Sequence, residues 1–76
     1  MTIEYKTKDL AESSALVTCG CRLIRIERTG SVAWFVFNDE VNCQKLSNEF
    51  FFGNLTGSLK VYSEAIRMLK NRLFSV

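Results

Sequence analysis

Few residues in this chain are equipped for chemistry. There is no histidine, which excludes a Ser-His-Asp triad, a Cys-His nucleophile pair and a mixed Cys/His zinc site. The three cysteines, Cys19, Cys21 and Cys43, lack both the C-x-x-C spacing and the fourth soft ligand of a tetrahedral zinc centre. An odd number of thiols also fits poorly with a closed disulfide framework. Reduced thiols packing as small hydrophobes are the expectation. The carboxylates considered for acid–base work include Asp9, Glu12, Glu27, Asp39, Glu40 and Glu49. Asp9 and Asp39 stand where helix N-caps are needed. Glu12, three residues after Asp9, stands where a capping box places its acidic partner. No glycine-rich phosphate loop or nucleophile elbow occurs. The expectation is a chain that is not an enzyme and takes no cofactor and no metal.

The elements that must carry these residues fit in a single small domain spanning residues 1–76. The composition is globular, with 47% hydrophobic and 24% charged residues. The first residues contain no apolar core of a signal peptide. The longest apolar run, Val32 to Phe37, is far short of the roughly 20 residues that span a bilayer. A cytoplasmic chain without a membrane segment is expected. The net charge of +2 is too small to demand a polyanionic partner. Its basic excess lies in residues 58–76, where Lys70 and Arg72 suit the last turns of a helix.

Ile3, Tyr5 and Thr7 alternate with Glu4, Lys6 and Lys8, the period-2 pattern of a half-exposed strand. Asp9 starts a helix that Gly20 ends. Cys21 to Arg28 reads as a second strand and Val32 to Phe37 as a third, joined by a turn at Thr29-Gly30. A three-residue loop with Gly30 in a left-handed bulge suits that turn, because a two-residue Thr-Gly loop would force Thr29 to positive φ. Asn38 or Asp39 caps a second helix containing Val41, Cys43, Leu46 and Phe50, with Gly53 closing it. The last helix runs from about Leu59 to Phe74. Its apolar residues Tyr62, Ala65, Ile66, Leu69 and Leu73 recur at three- and four-residue spacing. The order is therefore β-α-β-β-α-α, an α+β fold. Its three-stranded antiparallel sheet, with the apolar third strand central (β1-β3-β2), packs with three helices.

The order of caps, turns and core residues also resembles a known family. Thr7, Asp9-Leu10-Ala11, Gly20, Leu23, Ile26-Glu27-Arg28, Gly30, Phe35, Phe37, Asp39, Leu46, Phe50, Gly53 and Leu69-Lys70 look like a family of small uncharacterised domains of bacteria and their phages, known only as a domain of unknown function. The resemblance covers about Tyr5 to Phe74 and implies a fold rather than an activity. It brings no catalytic or binding residue. Lys60-Val61-Tyr62-Ser63 departs from the short extended segment and acidic cap that the family tends to place before its last helix.

The third strand is apolar on both sides. Val32, Trp34 and Val36 point one way, and Ala33, Phe35 and Phe37 the other. Which set faces the core depends on the parity of the turn before it. With the bulged loop, Trp34 packs inward beside Ile24 and Ile26, while Phe35 and Phe37 lie on the second face near Leu23 and Arg25. Either way, large side chains on the second face need a cover. Phe50-Phe51-Phe52 repeats the problem, since three successive helical residues point about 100° apart. These features favour a non-enzymatic protein-interaction module that self-associates, as a homodimer, or holds an unidentified protein partner, through the sheet or the Phe50–Phe52 region. The candidate interface residues are Phe35, Phe37, Phe51 and Phe52. The alternative is binding of single-stranded nucleic acid on the sheet by Lys6, Arg22, Arg25 and Arg28 among its aromatics.

Overall fold

Two aspartates and the glycine turns divide the chain. In the computed structural model, which describes residues 3–74, the Asp9 side chain accepts a hydrogen bond from the Glu12 amide at 2.9 Å and starts α1 (Leu10–Thr18). Asp39 accepts from the Asn42 amide at 3.3 Å and starts α2 (Glu40–Phe51). Asp39 does so at φ 69°, a left-handed backbone that an aspartate tolerates better than most residues. Between these helices lie β2 (Leu23–Thr29) and β3 (Val32–Phe37), with β1 (Tyr5–Thr7) before α1 and α3 (Leu59–Phe74) at the end. Both outer strands pair antiparallel to β3 in the order β1-β3-β2. The α+β architecture and the strand order match the expectation.

The turn differs from the expected one. Thr29 pairs with Val32, so the loop is the two residues Gly30 and Ser31. Gly30 alone takes positive φ, at 61°, which is the pattern of a type II′ hairpin turn. Thr29 remains in the strand and escapes the conformation that argued against a short loop.

The parity of β3 therefore reverses. Phe35 and Phe37 point toward the helices and are buried, at 1% and 0% exposure. They form the core with Leu16 of α1, Cys43 of α2 and Leu69 of α3. Trp34, expected inside, lies on the opposite face with Val36. A bulge in β2 completes the arrangement. Leu23 pairs with Phe37 but Arg25 pairs with Val36, leaving Ile24 between them. Leu23 and Ile26 thus share the core side, while Arg25 and Glu27 share the outer side. Ile24, expected in the core, is 42% exposed.

The helices fit closely because α1 presents small residues. Ser13, Ser14 and Ala15 are buried. The two serine hydroxyls donate to the carbonyls of Asp9 and Leu10, each at 2.8 Å, so neither is left unsatisfied. On α3, Ala65 and Leu69 are buried and Tyr62, Ile66 and Leu73 are half-buried, as the helical spacing predicts. Arg28 donates to the Leu73 carbonyl near the end of α3, where a cation complements the helix dipole.

Candidate functional site

The outer face of the sheet is closed by charge. Arg25 holds Glu4 with two hydrogen bonds of 2.8 Å and reaches Glu27 at 2.7 Å. Lys6 donates to Glu27 from the other side at 3.1 Å. Lys8 stands 5.9 Å above the Trp34 ring, a cation–π distance. Lys6 and Arg25 flank Val36 in the register of the sheet, and Val36 is fully buried. Arg25 holds the Glu4 carboxyl below its usual range, and Lys6 and then Arg25 do the same for Glu27.

This closure bears on two expectations. Phe35 and Phe37 are interior residues rather than members of an interface, since turn parity places them under the helices. The four basic residues put forward for nucleic acid do not converge. Lys6 and Arg25 are paired with carboxylates, and Arg28 caps α3. Arg22 lies at the other end of β2, beside Ile24 and Asn38.

Under the sheet, Glu12 of α1 is buried and collects three hydroxyls from two other elements, β1 and α2. Tyr5 of β1 donates to its Oε2 at 2.5 Å, Ser47 of α2 donates to the same oxygen at 2.6 Å, and Thr7 donates to Oε1 at 2.6 Å. Glu12 is not the capping-box partner that its spacing implied. The Asp9 amide donates instead to the Thr7 hydroxyl at 3.2 Å. A signal for this role was present, because Glu12 lies four residues before the core residue Leu16 and so on the same helix face.

The third feature is apolar. A cleft of about 350 Å³ lies where α1, the end of α2 and the start of α3 meet, walled by Ala15, Cys19, Phe50, Leu55, Leu59 and Tyr62. Gly57 also lines it, and a Cβ there would come within 3.1 Å of the Thr18 methyl. The connecting segment thus runs tightly over the end of α1. Phe50 is half-buried and packs edge-on against Phe51, with ring centroids 5.3 Å apart. Phe51, Phe52 and Leu59 are 61%, 80% and 85% exposed. Phe51 and Phe52 therefore stand where the helical rotation put them, outside the core. Leu59 lines the cleft with Phe50 and was not singled out, because as the first residue of α3 it precedes the periodic stripe.

The thiols and Tyr5 make the fold sensitive to alkali. Burial, with the Cys21 thiol beside it, pushes Cys43 from the usual 9.0 up to about 12. Burial and then the Glu12 hydrogen bond raise Tyr5 above its usual 10.0. The folded chain holds these protons more tightly than the unfolded chain. Their contribution is fully present below about pH 9 and is lost as pH rises toward 12. The urea midpoint is expected to fall across this window, and Cys43→Ala is expected to flatten the fall. An unchanged slope in that variant would count against Cys43 as its source.

The chain belongs to the family described as Domain of unknown function (DUF5659), whose family model matches residues 2–75. The expected membership of a family of unknown function therefore holds. No curated protein and no solved structure matches the chain. Among the described residues no helix is long and apolar enough to cross a membrane.

Proposed function

We propose that this DUF5659 domain is a small non-enzymatic interaction module that pairs with a second copy of itself through the surface around Phe51, Phe52 and Leu59. The observation that carries the reading is three large apolar side chains left in water at 61%, 80% and 85% exposure, beside an apolar cleft lined by Leu59 and by Phe50, the ring partner of Phe51. Burying a side chain of this size is worth about 1.5–3 kcal/mol. A domain with so small a core gains nothing in its own stability from leaving three of them uncovered. A two-fold contact needs only one self-complementary patch. Here the exposed rings of one copy face a cleft with room for a phenyl group on the other. The sheet takes no part, since its aromatic pair is internal and its outer face is covered by ion pairs.

Sedimentation velocity across the micromolar range tests this directly. A reversible monomer–dimer equilibrium is expected. The double variant Phe51→Ser/Phe52→Ser is expected to weaken it by about 100-fold or more, as for loss of two central aromatic anchors. Its thermal stability should hardly change at concentrations where the wild type is monomeric. A wild-type chain that stays monomeric at every concentration would sink the proposal. Single-strand binding has less support, because two of its four basic residues are neutralised in place.

A further inference from the structure

We infer that Cys21 and Cys43 form an oxidation site, at which a low-molecular-weight disulfide converts the two thiols into an intramolecular bridge between the entry of β2 and the first turn of α2. Several contacts bring the two sulfurs together. The Asn42 side-chain amide lies 3.9 Å from Cys21 Sγ, which sets that sulfur at the first turn of α2, the turn that carries Cys43. The Cys43 thiol donates to the Asn38 carbonyl at 3.3 Å. The Asn38 amide in turn donates to the Arg22 carbonyl at 3.1 Å, which ties the residues adjoining each cysteine. Cys21 packs against the core cluster that contains Cys43, and each thiol shifts the other's titration, as neighbouring groups do.

Exposure assigns the order of events. Cys21 is half-buried and Cys43 fully buried, so the external reagent meets Cys21. The Cys21 sulfur attacks the disulfide RSSR, forming Cys21–S–SR and releasing RSH, which carries away the Cys21 proton. The Cys43 sulfur then attacks the Cys21 sulfur and the Cys21–SR bond breaks. The second RSH leaves with the Cys43 proton. Two protein thiols are oxidised and one small disulfide is reduced to two thiols. Burial keeps both cysteines protonated at neutral pH. The first step is therefore slow and accelerates about tenfold per pH unit below the Cys21 pKa. Cys19 takes no part, because its side chain lines the cleft between α1 and α3.

The test uses the full chain carrying Cys19→Ser, incubated with oxidised glutathione and analysed by intact mass and non-reducing peptide mapping. The expected product is a monomer lighter by two hydrogens, with the peptides of Cys21 and Cys43 linked. The bridge closes the chain from residue 21 to residue 43, and Tm should rise on the order of 10 °C. Adding Cys43→Ser should stop the reaction at a glutathione adduct on Cys21. Adding Cys21→Ser should leave Cys43 unmodified while the domain is folded. A lasting glutathione adduct with both cysteines present would overturn the inference. So would a bridge between two chains, or no modification over a range of mildly alkaline pH.

Discussion

Replacing Glu12 with alanine is expected to remove about 3–5 kcal/mol of stability, the range found when one member of a buried polar cluster is deleted and its partners stay behind. The carboxylate is where β1, α1 and α2 meet, and it satisfies the hydroxyls of Tyr5, Thr7 and Ser47 together. After truncation, Tyr5 and Ser47 still have each other, 3.3 Å apart, but Thr7 loses its acceptor in a buried place. For a chain of 76 residues the loss is a large share of a total that rarely exceeds about 5–10 kcal/mol. Single deletions at the rim, Tyr5→Phe and Ser47→Ala, should cost about 1 kcal/mol each. Their sum should fall short of the Glu12→Ala value, because the remaining donors keep the carboxylate. Urea unfolding followed by circular dichroism measures all of these. Where Glu12→Ala does not fold, Glu12→Gln is the measurable substitute and should lose about 1–2 kcal/mol. A loss below about 1 kcal/mol for Glu12→Ala would mean that the cluster does not hold the three elements together.

Phe37→Ala should cost about 3–5 kcal/mol, the usual range for emptying a buried aromatic site. Phe52→Ala should change stability by no more than about 0.5 kcal/mol. The contrast is informative because the two residues looked alike in the sequence, both as candidate interface aromatics. Phe37 pairs with Tyr5 on one side and Leu23 on the other, facing Leu16 and Leu69. Its removal opens a cavity against three helices. Phe52 is 80% exposed and has little packing to lose within one chain. Thermal unfolding at low protein concentration separates the two effects without interference from association. Equal costs would show that the inner face of the sheet has been assigned wrongly. The same ranking is what one expects if Phe52 is kept for a contact outside the monomer.

Much of the architecture is legible in the amino-acid sequence. Asp9 and Asp39 cap the helices they were expected to cap, and α3 occupies Leu59–Phe74 because its apolar residues recur with the helical period. The third strand lies in the middle of the sheet because it alone is apolar on both sides. That same property concealed which side is inner. A strand alternating between polar and apolar residues declares its buried face, whereas Val32 to Phe37 is compatible with either. The answer came from two local shifts of one residue, the Gly30-Ser31 turn and the bulge at Ile24. Each reverses every side chain beyond it while hardly altering the sequence pattern.

Glu12 was hidden for a related reason. The spacing from Asp9 to Glu12 serves a capping box and a buried polar centre equally well, and only the arrival of Ser47 from a distant helix distinguishes them. The amino-acid order by itself determined the elements, the helix ends and the strand order, because caps and periodicity are local and act within a few residues. The tertiary structure alone decided which aromatics of the third strand are core and which are surface, and which carboxylate is buried. Those outcomes depend on strand parity and on contacts between residues far apart in the chain, where a shift of one position exchanges inside for outside.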